Sequence, residues 1–120
     1  MKTLLVVDDE VGITDALHDL LSEEGFAVLT ARNGKDGLKR IDEKRPDLIL
    51  LDYMMPVMDG RELLLALQAD AAYRDIPVIM MSAMPRSSIP ADCKPAAFLR
   101  KPFEIDRLLA EVSRQLTGRG

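Results

Sequence analysis

A small set of side chains in this sequence can do chemistry together: the acid pair Asp8-Asp9, the single Asp52, the hydroxyl of Ser82 and the ammonium of Lys101. Three carboxylates brought to one crevice cannot all stay ionised uncompensated, because like charges raise one another's pKa. A hard divalent cation is the simplest remedy. Mg²⁺ binds through one or two carboxylates, keeps several waters and takes a phosphate oxygen as a further ligand. Lys101 would add a fixed positive charge and Ser82 a hydroxyl donor. Such a set suits phosphoryl transfer, which needs positioning and charge neutralisation more than covalent help. One of the carboxylates can itself be the nucleophile, giving an aspartyl phosphate.

For this to happen the fold must bring distant segments to one end, and the pattern of the chain says how. Thr3 to Val7 is a branched, apolar run closing on acids, which reads as a strand. Val11 to Glu24 repeats apolar residues at helical spacing (Ile13, Leu17, Leu20, Leu21), with Gly25 placed as a C-terminal cap. Phe26 to Ala31 reads as a strand and Gly34 to Lys44 as a helix. Asp47 to Asp52 is apolar without alternation, as in a central parallel strand covered on both faces. A loop with turn chemistry runs to Gly60, and Arg61 to Gln68 is helical. Pro77 to Ser82 and Ala97 to Leu99 are strands. Glu104 to Leu116 is the final helix, with Gly118 and Gly120 marking a fraying end. Alternating strands and helices imply a parallel sheet with helices on both faces. In open sheets of this kind the ligand crevice lies beyond the carboxyl ends of the strands. Those ends carry Asp8-Asp9, Asp52, Ser82 and, after the last strand, Lys101-Pro102.

Composition narrows the class. A chain of 120 residues holds one core, so residues 1–120 are read as one domain. The 16 basic and 20 acidic side chains include no basic stripe interleaved with aromatics, which argues against direct binding of nucleic acid. No apolar run reaches the roughly 20 residues of a membrane span, and the start lacks the pattern of a signal peptide. Cys93 has no cysteine to pair with, in keeping with a reducing, cytoplasmic location. His18 falls on the polar face of the first helix and reads as a surface residue. The methionines at 54, 55, 80, 81 and 84 read mostly as packing.

At this point the chain resembles the receiver domains of two-component response regulators, over essentially its whole length. The likeness rests on the acid pair after strand one, Asp52 after strand three, Ser82 after strand four and Lys101-Pro102 after strand five. It rests also on Asp52-Tyr53-Met54-Met55-Pro56-Val57-Met58-Asp59-Gly60, close to the family's Asp-x-x-Met-Pro-x-x-Asp-Gly signature. The resemblance implies a flavodoxin-like, doubly wound α/β fold with five parallel strands in the order 2-1-3-4-5. It implies Asp52 as phosphoacceptor and Mg²⁺ (or Mn²⁺) held by Asp9, Asp8, Asp52 and the backbone carbonyl of Met54. Ser82 and Lys101 would close on the phosphoryl group, Phe98 would be the aromatic switch, and Lys101-Pro102 would be a cis peptide. The implied partners are a sensor histidine kinase or histidine phosphotransfer protein upstream and a protein target or effector domain downstream. Such a module is not an enzyme, catalysing only its own phosphorylation and dephosphorylation.

The sequence departs from the family between Ser82 and Lys101. Pro85, Pro90 and Pro95 stand where the family has a full fourth helix, and interior proline costs a helix about 3 kcal/mol. An irregular loop is expected, with at most one helical turn between Arg86 and Ile89, and Pro95-Ala96 replaces the family's Gly-Ala turn. Met54 and Met84 occupy the two positions that, in the family, tune access of water to the aspartyl phosphate. Two bulky apolar side chains there imply a long-lived phosphorylated state. Other readings remain beside this one. Asp8 and Asp9 could simply cap the first helix. The chain could be a phosphorylation-independent interaction module. A metal-dependent aspartyl phosphatase of similar fold would place its nucleophile after strand one in an Asp-x-Asp pattern, which adjacent Asp8-Asp9 lacks.

Overall fold

The computed structural model describes residues 1–117; the expected fraying at Gly118 and Gly120 lies outside them. In chain order the elements are β1 (Thr3–Val7), α1 (Val11–Glu23), β2 (Ala27–Ala31), α2 (Gly34–Glu43), β3 (Leu48–Asp52), α3 (Gly60–Gln68), β4 (Val78–Ser82), a 3₁₀ turn (Arg86–Ser88), β5 (Ala97–Arg100) and α4 (Ile105–Thr117). All strand pairs are parallel, in the order β2-β1-β3-β4-β5. This is the expected doubly wound architecture. Element ends differ from the sequence reading by a residue or so, as fraying ends do.

The unalternating apolar runs become the middle of the sheet. Every residue of β1, β3 and β4 is buried, because helices cover both faces. Leu5, Val7, Ile49, Leu51, Val78 and Met80 meet α2 and α3 through Ile41, Leu63, Leu64 and Leu67. Leu4, Val6, Leu48, Leu50, Ile79 and Met81 meet α1 and α4 through Leu17, Leu21, Leu108 and Val112. Burying each such leucine contributes about 2 kcal/mol.

The stops are set by local chemistry. Gly25 has φ +95°, its N–H bonds the Ser22 carbonyl at 3.1 Å and the Phe26 N–H bonds Leu21 at 3.2 Å. That double return is a Schellman ending, and it needs the left-handed backbone that glycine adopts freely. At α3 a reciprocal capping box fixes the start: Asp59 accepts from the Glu62 N–H while the Glu62 carboxylate accepts from the Asp59 N–H.

Between β4 and β5 the proline-punctuated segment makes only its 3₁₀ turn, as expected of the single turn between Arg86 and Ile89. It is nonetheless anchored. Ile89 and Cys93 are buried against the α3 face of the sheet. The Arg61 guanidinium forks onto the Asp92 carboxylate, Gln68 donates to the Lys94 carbonyl at 3.1 Å, and Arg86 donates to the Cys93 carbonyl at 3.0 Å.

Candidate functional site

The sheet delivers its chemistry at one edge. Asp8 follows the last residue of β1, Asp52 ends β3, and the two strands are neighbours in the sheet. Carboxylate oxygens of Asp8, Asp9 and Asp52 lie within 4.8 Å of one another. Asp8 is fully buried and Asp52 is 5% exposed, whereas Asp9 faces solvent. Asp8 is held by its own turn, Oδ1 accepting from the Glu10 N–H at 2.9 Å. The N-cap of α1 is Glu10, with no side-chain capping bond, so the acid pair does not serve as a helix cap.

Lys101 reaches into this cluster from the turn after β5. Its Nζ lies 2.8 Å from Asp8 Oδ2, 3.2 Å from Asp52 Oδ1 and 3.7 Å from Glu10 Oε1. The Lys101–Pro102 peptide is cis, as the resemblance implied. Burial by itself lowers the Lys101 pKa, but the hydrogen bond and charge of Asp8, together with those of Asp52, outweigh it and raise the pKa overall. Burial pushes the Asp52 carboxyl up to about 6; the Asp8 charge adds to this and Lys101 opposes it.

Ser82 ends β4 and is buried, with its Oγ accepting from the Met84 N–H at 3.0 Å. Among the described residues its hydroxyl bonds neither Asp52 nor Lys101, so the structure places it beside the cluster rather than in it. The backbone does tie the two, since the Lys101 N–H donates to the Ser82 carbonyl at 2.7 Å. Phe98 is half-buried on β5, opposite Met80 and away from the acids. The Met54 side chain is exposed and shares a cleft with Asp9, Tyr53 and Met84. His18 is exposed, and Cys93 is buried with its thiol pKa raised, first of all by burial, as expected of an inert residue.

Two positioning residues escaped the sequence reading. Glu10 joins the ionic cluster through Lys101, and the run Asp8-Asp9-Glu10 was the available signal. Gly60 is the other: a Cβ there would lie 2.4 Å from the Asp52 carbonyl oxygen. Its N–H donates to the Tyr53 carbonyl at 2.9 Å, so the start of α3 is pressed against the backbone of the acid itself. The glycine after Asp59 is a packing requirement of the site.

A sequence model of the family described as response regulator receiver domain matches residues 4–113. This chain belongs to that family. It is 40% identical to the transcriptional regulatory protein PrrA of Mycobacterium bovis, over 98% of this chain and 51% of the relative, so it spans about half the length of PrrA. It is 34% identical to sporulation initiation phosphotransferase F of Bacillus subtilis, over 96% of this chain and 94% of that protein. Among solved structures, response regulator protein TrrA of Thermotoga maritima, in complex with Mg²⁺-BeF, superposes with a TM-score of 0.86 at 33% identity, covering 97% of this chain and all of the other. The receiver is thus a phosphoacceptor signalling module by family.

Proposed function

We propose that residues 1–120 act as one receiver domain and that Asp52 is the atom-level acceptor. The supporting observation is the placement of the Asp52 carboxylate at the end of β3, within 4.8 Å of two further carboxylates and 3.2 Å from Lys101 Nζ. In the reaction a carboxylate oxygen of Asp52 attacks the phosphorus of a phosphohistidine in line. The P–N bond breaks, an acyl phosphate P–O bond forms and the imidazole leaves. Lys101, already positioned between Asp8 and Asp52, pairs with the phosphoryl oxygens. The Ser82 oxygen is occupied by the Met84 N–H, which leaves its hydrogen to donate to the same group. That closure would pull on the β4 end and draw Phe98 inward, shifting two pre-existing states. Water later cleaves the acyl phosphate, and the chain turns over no other substrate.

The donor set fits a resident divalent cation. Hard carboxylate oxygens grouped this closely, with a charged lysine and no thiol or imidazole among them, suit Mg²⁺ or Mn²⁺. Asp9, Asp8, Asp52 and the Met54 carbonyl would hold it, and it would supply neutralisation of the charge gathering on the phosphoryl oxygens. The upstream partner is a sensor histidine kinase or phosphotransfer protein, the output a protein target or attached effector, and the location cytoplasmic. No helix among the described residues is long and apolar enough to cross a membrane.

The test is intact-mass spectrometry after acetyl phosphate and Mg²⁺. One added phosphoryl group, absent in Asp52→Asn and absent with chelator, is expected. No addition, where a known receiver responds, refutes the proposal and leaves a phosphorylation-independent interaction module.

A further inference from the structure

The cleft beside the acid cluster is walled by sulfur as well as oxygen. Met54, Met55 and Met84 line it together with Asp9, Tyr53 and Asp59, around a volume of about 420 Å³. Asp9 belongs to the carboxylate cluster, so the cleft adjoins the end of β3 that carries Asp52. The seven methionines of the chain differ in what they can meet. Met80 and Met81 are fully buried in the sheet, and Met55 and Met58 pack against the core. Met84 is half-buried, whereas Met54 is 60% exposed. Met1 is exposed too, but it precedes β1, and the acids follow the other end of that strand. Met54 is thus the methionine that presents an open thioether at the acid site. A leucine would cover the same surface; sulfur adds a polarisable lone pair that oxidants can reach.

We propose that Met54 is a modification site, oxidised by hydrogen peroxide to the sulfoxide, and that this change shortens the life of a phosphoryl group on Asp52. The effect on lifetime rests on Asp52 being the acceptor; the modification itself does not. In the oxidation, a lone pair of Met54 Sδ attacks one oxygen of the peroxide. The S–O bond forms as the O–O bond breaks, and sulfur gives up two electrons to the peroxide. The departing hydroxide takes the proton left on the transferred oxygen and leaves as water. A flexible apolar side chain becomes a polar one. Reduced Met54 keeps water out of the cleft beside Asp9, whereas the sulfoxide oxygen accepts a hydrogen bond from water and holds it there. Water is the reactant that cleaves an acyl phosphate, so holding it beside the site favours that step. Met84 lines the same cleft but is less exposed, so it reacts after Met54.

The experiment treats the full chain with dilute hydrogen peroxide, maps the product by peptide tandem mass spectrometry, and then phosphorylates it with acetyl phosphate and Mg²⁺. Sulfoxide is expected at Met54 and Met1 before Met84, with Met80 and Met81 unmodified. Circular dichroism checks that the oxidised chain is folded. Once acetyl phosphate is removed, the oxidised chain should lose its phosphoryl group roughly threefold faster than the untreated chain, or more, a modest part of what positioning a reactant can contribute. Met54→Leu, which keeps the apolar bulk without a thioether, is compared with its own untreated form and should show no acceleration, although Met1 is oxidised in both. Modification of Met80 or Met81 ahead of Met54, a decay unchanged or slowed by oxidation, or an acceleration that persists in Met54→Leu would each overturn the proposal. An untreated chain that takes up no phosphoryl group overturns Asp52 as acceptor, and the effect on lifetime with it. A phosphorylated chain indifferent to oxidation overturns this proposal alone.

Discussion

Replacing Asp52 with asparagine should make the metal-free protein more stable, although it removes the proposed acceptor. The folded protein raises the Asp52 carboxyl from 3.8 to about 6. Each pKa unit is about 1.4 kcal/mol, so keeping Asp52 ionised costs the fold about 3 kcal/mol at neutral pH. The sign follows from proton counts. Between about pH 4 and about pH 6 the native state holds more protons than the unfolded chain, so stability falls as pH rises through that window and is level above it. Asparagine abolishes the penalty, which already counts the opposing pull of Lys101, but buries an amide N–H₂ in place of a carboxylate oxygen, at a cost of about 1–2 kcal/mol where its donors go unpaired, while Lys101 keeps Asp8. A net gain of about 1–2 kcal/mol is expected, or roughly 3–10 °C in Tm for a domain of this size. Thermal and urea melts in EDTA at pH 7 read it directly. At pH 4 the gain should vanish, because the native carboxyl is then protonated. Mg²⁺ should narrow the difference by stabilising the wild type more than the variant. A variant less stable than wild type at pH 7 in EDTA, or a gain unchanged between pH 4 and 7, would show that burial of Asp52 is not what raises its pKa.

Three further changes probe the surroundings. Val57 has φ +70° and is 76% exposed, a backbone region unfavourable to a β-branched residue; Val57→Gly should stabilise by about 1 kcal/mol in urea denaturation, and a destabilised variant would mean the valine makes a contact that outweighs the strain. Gly60→Ala should destabilise by more than about 2 kcal/mol, since its Cβ meets backbone rather than a movable side chain, and a neutral result would show that α3 can shift away from Asp52. Met54→Asn should speed the first-order loss of the phosphoryl group, followed by intact mass, because an apolar side chain beside Asp9 would give way to one that can hold water; an unchanged decay rate removes Met54 from control of hydrolysis.

Much of this was legible in the sequence because it follows from period and punctuation. The unbroken runs Leu48–Leu51 and Val78–Met81 read as buried parallel strands, and once strand and helix alternate the crevice must lie at the strand ends. Asp8, Asp52 and Lys101 therefore fall together from the strand order alone. What stayed hidden depends on distance across the fold. No local pattern says that the Gly60 Cα lies against the Asp52 carbonyl, or that Ser82 is turned to Met84 and not toward Asp52. The prolines announced a missing helix correctly. They could not say that Arg61, Gln68 and two buried side chains would pin the replacement down, since each of those contacts spans more than ten residues.

The electrostatics of the cluster give a physical reason for its coupling to an input. Three carboxylates and one ammonium leave two negative charges in a partly buried space, and burial first, then the Asp8 charge, raises the Asp52 pKa. A monovalent cation would neutralise half of that excess, and a divalent one all of it, which argues for charge as well as ligand hardness in favouring Mg²⁺. Asp52 is already mostly ionised at neutral pH, and neutralisation would lower the cost of holding that charge. The same unfavourable charge that would make Asp52→Asn more stable is thus the charge a bound cation would relieve. A phosphoryl group on Asp52 would return excess negative charge to the site, and the Ser82 hydroxyl on the neighbouring strand keeps its hydrogen free to donate. Its strand, β4, lies directly between β3, which ends in Asp52, and the edge strand β5, so a displacement of Ser82 toward Asp52 would bear directly on the strand that carries Phe98 and Arg100.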